Sequence, residues 1–337
     1  MLNEVSIASC WSGLPRIPAV YPSPPTIAST NEDYFRTLLK AVPHVPGWHH
    51  RAMAILRVGC ALWAHAAWRG PCLPADLRRD EQLPAYASWC TAVEGNTTAY
   101  GLPSAATVAA WAAETPPGFR FLFKLPQDIT HRGRLRDAEA DVARVVELLA
   151  PLGDRSEQLF IQLPASFGPS DLGALATFLA RGPDGPRWVV EVRHPGFFDG
   201  SPAGRTLERL LRDRGAEWAT FDTTTLFADP PGSDAERDGW AKKPRLPRRV
   251  VALGERPVVR YLGRDDVDAT VAGWQPWVPV VAGWLDEGRS PTVFIHTPDN
   301  DGALGLARRF HDEVRAAASV AVDPLPEPMA VPPTTLF

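Results

Sequence analysis

Lysine is scarce in this chain. Only Lys40, Lys124, Lys242 and Lys243 occur among 337 residues, so 31 of the 35 basic residues are arginine. Such a bias reflects the coding sequence as a whole. Where lysine persists at an otherwise apolar strand, arginine does not serve, and that singles out Lys124. Cysteine is sparse too. Cys10, Cys60, Cys72 and Cys90 include no C-x-x-C pair, which argues against zinc held by these residues. Cys60 and Cys90 sit in apolar runs and read as small buried hydrophobes. No apolar run approaches the roughly 18 residues of a membrane span, and mean hydropathy is -0.15. Residues 1–20 carry Glu4 early and Arg16 as their one base, without the basic-then-apolar order of a signal peptide. A reducing cytoplasm with free thiols is therefore expected. Neither sign of charge dominates. With 35 basic and 39 acidic residues the formal charge is -4, so no domain-wide basic excess announces a nucleic-acid binder. Solenoid-type repeats and low-complexity tracts are missing. No G-x-G-x-x-G follows a first strand, which weakens a dinucleotide-binding open sheet.

What is present is alternation. Short apolar runs rich in β-branched and aromatic residues read as strands near 54–60, 90–96, 119–125, 157–163, 187–193, 217–222, 256–262 and 291–297. Helical patterns follow most of them, at 104–114, 136–150, 169–181, 204–214, 265–287 and 301–317. Pro276 and Pro279 predict a kink or split in the fifth of these. The stretch 223–255 shows no clean helix; it holds Pro230-Pro231 and a basic run from Lys242 to Arg249. Eight strands with helical crossovers imply a parallel sheet; eight closed on themselves make a barrel, and six to eight left open make a doubly wound sheet. The expected architecture is an α/β fold of the (β/α)8 TIM type, as a single domain over 51–319. A proline-rich N-terminal extension, 1–50, is expected to be partly disordered, with one helix at 31–42. A Pro-rich C-terminal tail covers 320–337.

The motifs narrow this further. Val58-Gly59, Trp63 and Trp68-Arg69-Gly70 open the barrel. The run 93–103 reads V-E-G-N-T-T-A-Y-G-L-P. Trp111, Thr115-Pro116, Phe119-Arg120-Phe121, Lys124 and Thr130-His131 follow. Gln162-Leu163-Pro164, then Glu191-Val192-Arg193-His194-Pro195, then His296-Thr297-Pro298-Asp299 complete the series. In kind and order these resemble the YecE-like family (domain of unknown function 72), and the last motif its enterobacterial YecE-type branch. The resemblance covers roughly 54–320. It implies a TIM-type barrel and no established activity. Most members carry Asn-Asn where this chain has His296-Thr297, and many carry His-Gly where it has Leu262-Gly263. No family role carries over to those positions.

Barrel enzymes work at the carboxyl ends of the strands, where alternate residues face inward. Polar residues stand there in turn: Glu94 and Asn96, Lys124, Gln162, Glu191 and Arg193, Asp222, Arg260 and His296. One reading is a buried ion-pair lattice closing the barrel mouth. Its difficulty is that each buried ion costs several kcal/mol to desolvate and pairing only roughly restores this. The preferred reading is a site. Glu191 serves as general base with Asp222 as helper, joined by Lys124 and Glu94 as catalytic groups. Arg193 and Arg260 clamp an anion; Asn96 and Gln162 orient; His296, His131 and Trp63 contact substrate. The basic loop Lys242-Lys243-x-Arg245 with Arg248-Arg249 follows the sixth strand and could meet an anion at the same mouth.

The function expected is a metal-independent enzyme, a hydrolase or lyase, acting on a phosphate- or carboxylate-bearing small molecule. No cofactor, metal or membrane is expected, and the partner is an anionic small molecule. Two other readings stand beside it. One is a nucleic-acid-processing phosphodiesterase resembling endonuclease IV-type barrels, by fold analogy. The other is a non-catalytic binding or scaffold protein acting through its terminal extensions. Nucleic acid is the less favoured partner.

Overall fold

Nine short strands run parallel: β1 (Arg57–Cys60), β2 (Ala92–Gly95), β3 (Arg120–Lys124), β4 (Gln158–Gln162), β5 (Arg187–Glu191), β6 (Glu217–Trp218), β7 (Thr220–Asp222), β8 (Val258–Leu262) and β9 (Thr292–His296). The structure is a computed structural model and describes residues 54–329. The expected extension over 1–50, its helix at 31–42 and the last residues of the tail lie outside the described residues. The sheet order is β6-β5-β4-β3-β2-β1-β9-β8-β7. Only Ala219 separates β6 from β7, so these are two halves of one strand. The first half pairs with β5 and the second with β8, which closes eight strands into a barrel.

Helices return the chain between strands: α1 (Gln82–Ala87), α2 (Ala105–Glu114), α3 (Glu139–Leu149), α4 (Leu172–Arg181), α5 (Pro202–Asp213), α6 (Asp234–Lys242), α7 (Val267–Trp274), α8 (Trp277–Asp286) and α9 (Ala303–Ala317). Pro276 splits α7 from α8, since proline donates no hydrogen bond and clashes with the preceding turn. Apolar spacing turns each helix onto the barrel. In α9, Leu304, Ala307, Phe310 and Val314 fall on one buried stripe. The sequence expectation fails at α6. Its residues, D-A-E-R-D-G-W-A-K, are polar nearly all round, so apolar periodicity does not mark it. A local signal does: the Ser233 hydroxyl accepts from the Glu236 amide at 3.0 Å, capping the helix as S-x-x-E predicts.

The barrel interior is filled by side chains of one parity. Ala92, Leu122, Phe160, Val189, Ala219, Val258 and Phe294 form a buried apolar layer midway along it. Two residues further along each strand lies the next inward layer, and there the polar groups begin. The outer faces of the strands carry the larger core, against the helices. Trp274, Trp277 and Trp284 belong to that outer core, and Cys60 and Cys90 are buried thiols. At the C-terminal side, Val322 and Leu325 are buried, and the Met329 amide donates to the Ser88 hydroxyl at 2.9 Å. Among the described residues no helix is long and apolar enough to cross a membrane.

Candidate functional site

Above the apolar layer, Arg260 of β8 lies between two carboxylates from other walls of the barrel. It donates to Glu94 of β2 through Nε and, at 3.1 Å, through Nη2, and to Glu191 of β5 through Nη1. Glu94 Oε1 also accepts from His296 Nε2 at 3.0 Å, and Oε2 from Asn96 Nδ2 at 3.3 Å. Glu191 Oε1 accepts from Arg193 Nε at 2.7 Å. All four carboxylate oxygens are thus engaged, and Glu94 and Glu191 have no exposed surface. Burial alone would raise the Glu191 carboxyl. Arg260, Arg193 and Lys124 outweigh it and hold the group down at about 2. Glu94 is likewise driven well below the ordinary range, burial being overcome by Arg260 and His296.

This inner set is the ion-pair lattice that the sequence allowed, but it does not seal the mouth. Over it opens a cavity of about 430 Å³ whose lining includes Lys124, Gln162, Arg193, His131, Asn96 and Lys243. The loops after β2, β3, β7 and β9 build its walls, as the barrel rule requires. Two rings pack against the cations beneath it, Phe221 in its lining and Phe160 in the buried layer below. The Arg260 guanidinium lies 5.4 Å from the Phe160 ring centre and 4.5 Å from that of Phe221. Lys124 Nζ is 5.5 Å from the Phe160 centre, and Arg193 5.4 Å from Phe221. Ring faces attract each cation without supplying a counter-charge.

The polar groups facing this cavity are unevenly satisfied. Lys124 Nζ donates to Gln162 Oε1 at 2.6 Å. Burial and the neighbouring Arg260 lower its ammonium to about 7, although Glu94 and Glu191 pull the other way. Lys243, at the end of α6, is lowered for the same reasons, burial first and then Arg260 and Arg193. Arg193 spends Nε on Glu191; its terminal nitrogens have no acceptor among the described residues. Asn96 donates to the Ala61 carbonyl at 2.6 Å and to Glu94, which fixes its amide orientation and leaves a buried Oδ1 with no donor among the described residues. Thr130 Oγ1 donates to the Pro126 carbonyl at 3.2 Å and meets His131 Nδ1 at 2.9 Å. Thr130 has one hydroxyl proton, so His131 Nδ1 donates and Nε2 is the ring's remaining acceptor. Burial, Arg193 and Lys124 keep this imidazole below its ordinary value.

Two expected members stand elsewhere. Asp222 points away from the cavity. Ala219 is in the inner layer, so Phe221 is the next inward residue and Asp222 falls on the outer face. There it accepts from Trp277 Nε1 and Arg248 Nε, both at 2.7 Å, and from the Thr224 amide and hydroxyl at 2.9 and 2.6 Å. It fastens helix α8 and the 244–249 segment to the barrel wall. Trp63 packs edge-on against Trp111 and Phe121, with ring centres 5.4 and 6.3 Å apart. It lines a separate groove of about 860 Å³ behind Asn96. The basic run divides as well. Lys243 joins the cavity, Lys242 pairs with Asp238, and Arg249 pairs with Glu208. Sequence reasoning gave Lys243 no role of its own, because the helix that delivers it was not recognised.

A closed eight-stranded β/α barrel with a charged cavity at the carboxyl ends of its strands is the class that fold and site define. The chain belongs to the family described as "Protein of unknown function DUF72", whose model matches residues 57–330. It is 35% identical over 278 residues to UPF0759 protein YecE of Escherichia coli K12, covering 82% of this chain and 97% of that protein. The protein of the same name from strain O157:H7 matches equally. A DUF72 family protein of Thermotoga maritima superposes with a TM-score of 0.59 at 20% identity, over 77% of this chain and 99% of that one. One from Enterococcus faecalis gives 0.57 at 18%, over 80% and 98%. At such identities the two structures support the barrel alone.

Proposed function

We propose that this chain is a metal-independent enzyme acting on a small anionic molecule, bound at the carboxyl end of the barrel. One observation carries the reading. Glu94 and Glu191 are consumed internally and Asp238, the acid in the cavity lining, pairs with Lys242, so the other charged side chains lining the cavity are the cations Lys124, Arg193, Lys243 and Arg260. Arg193 offers its terminal fork to a carboxylate or phosphate, with Lys243 across the cavity adding positive charge. Glu191 and Glu94 then act as positioning residues for Arg193 and Arg260. The general base first assigned to Glu191 falls better to Lys124 or His131, since a carboxylate held near 2 is a poor proton acceptor at neutral pH.

The phosphodiesterase reading loses support on the donor set. The space between Glu94 and Glu191, where a cation would sit, is filled by the Arg260 guanidinium. Among the described residues, no three His, Cys, Asp or Glu side chains come together as a metal would need. The test is calorimetric titration of the purified protein with phosphate, oxalate and citrate. At least one should bind, with affinity falling roughly tenfold or more in Arg193→Gln, the loss of a charge-assisted pair. Binding that ignores this substitution would move the anion site elsewhere and end the proposal.

A further inference from the structure

The surroundings of one amine in the cavity, Lys124, are not explained by the anion reading. We propose that Lys124 captures the carbonyl carbon of a small 2-oxo acid as an imine, while Arg193 holds the acid's carboxylate. The inference rests on the anion-binding reading of this cavity and adds a covalent chemistry to it.

The geometry is that of a lysine denied its counter-ion. Glu94 and Glu191 are the nearest acids, but Arg260, Arg193, His296 and Asn96 occupy their oxygens. Among the described residues no carboxylate lies within ion-pair distance of Lys124 Nζ. Its hydrogen-bond partner is the neutral amide of Gln162. Arg260 shares the Phe160 ring with it, and Arg193, Lys243 and His131 line the same cavity. An ammonium here has two cations beside it and no acid of its own, so a substantial share of the amine is neutral near pH 7. A residue needed only to hold an anion would be better as arginine, which stays charged. In a chain with 31 arginines and four lysines, two of the lysines line this cavity, and Lys124 is the one set at a strand end, hydrogen-bonded to a neutral amide. With one N–H given to Gln162, the amine keeps its lone pair for attack.

The step balances without an oxidant or reductant. The Nζ lone pair attacks the carbonyl carbon and forms the C–N bond. The C=O π pair moves to oxygen, which takes a proton from Nζ to give a carbinolamine. The C–O bond then breaks, hydroxide leaves with the second Nζ proton as water, and the C=N bond remains. Protonation of that imine turns it into an electron sink for the neighbouring carbon. The reaction class served is therefore proton loss or carbon–carbon cleavage beside the carbonyl.

The full chain is incubated with pyruvate and sodium cyanoborohydride at pH 7, then analysed by intact and peptide mass spectrometry. Oxalate, which has the charge but no ketone, is titrated separately. One reduced pyruvyl adduct on Lys124 is expected, formed on the order of a hundredfold faster than on an ordinary exposed amine, whose neutral fraction at pH 7 is about a thousandfold smaller and whose higher basicity restores part of that difference. Lys124→Arg should keep oxalate binding and lose the adduct; Lys124→Met serves if the arginine variant fails to fold. Oxalate binding without an adduct on Lys124 overturns this inference and leaves the anion site standing. If oxalate does not bind and acetaldehyde labels Lys124 where pyruvate does not, the anion reading fails and takes the oxo acid with it. Adduct on all lysines alike also overturns it.

Discussion

Arg260 and Glu94 meet through two hydrogen bonds between strands that are not neighbours in the sheet, β8 and β2. The same guanidinium reaches Glu191 on β5, so one side chain ties three walls of the barrel. Its charge is what allows two buried carboxylates to share that space.

Removing Arg260 should therefore be costly. Arg260→Leu leaves two uncompensated buried anions and is expected to lower stability by about 3–5 kcal/mol. Denaturant unfolding measures this. The triple variant Arg260→Leu, Glu94→Gln, Glu191→Gln should recover most of the loss. Failure of the triple variant to recover would mean that packing on Phe160 and Phe221, not charge, is what Arg260 provides.

Acid should attack the same lattice. The Glu191 carboxyl titrates at about 2 folded against 4.5 ordinarily. A carboxyl lowered on folding contributes stability that is complete above its unfolded value and is lost as pH falls from about 4.5 towards 2. Its share is on the order of 3 kcal/mol. Glu191→Gln should flatten the wild-type pH–stability curve within that window.

Lys124 gives a slope of the same sign at higher pH, but there the charged group opposes folding. Its ammonium sits at about 7 folded against 10.5 ordinarily, so the unfolded chain binds more protons between those values. Lys124→Met should be the more stable protein at pH 7, by on the order of 2 kcal/mol once partial exposure is allowed for. That advantage should shrink as pH rises towards 10. A gap that stays constant with pH would show that the lysine is charged at neutrality.

Asp222 separates structure from site. Asp222→Asn keeps the shape but weakens charge-assisted bonds to Arg248 and Trp277, for an expected loss of about 2 kcal/mol. Anion affinity at the cavity should change less than about twofold, well under one charge-assisted hydrogen bond. A large affinity loss would return Asp222 to the site.

Gly95, between Glu94 and Asn96, marks a close approach. A Cβ there would stand 2.0 Å from the Phe123 ring. Gly95→Ala is expected to cost about 1–3 kcal/mol as the ring is displaced, measured by thermal unfolding. No shift in Tm would mean that Phe123 has room to turn.

Composition and periodicity by themselves determined the strand positions, most helices and the parallel sheet, because period-2 and period-3.6 burial are local consequences of backbone geometry; closure into a barrel followed from the family resemblance. Motif order determined the family. They also placed Glu94, Lys124, Glu191, Arg193, Arg260 and His296 at the ends of their strands. They did not determine α6, whose polar surface carries no apolar stripe, and with it the position of Lys243. Nor did they determine which way the strand at 217–222 faces: the break at Ala219 and the inward turn of Phe221 put Asp222 outside. Above all, partner choice was decided in three dimensions. The sequence set three cations and three carboxylates on one rim, and the fold turned Asp222 away from it. Only the folded barrel, by setting Arg260 between the two acids, decides that Lys124 is the cation left without one.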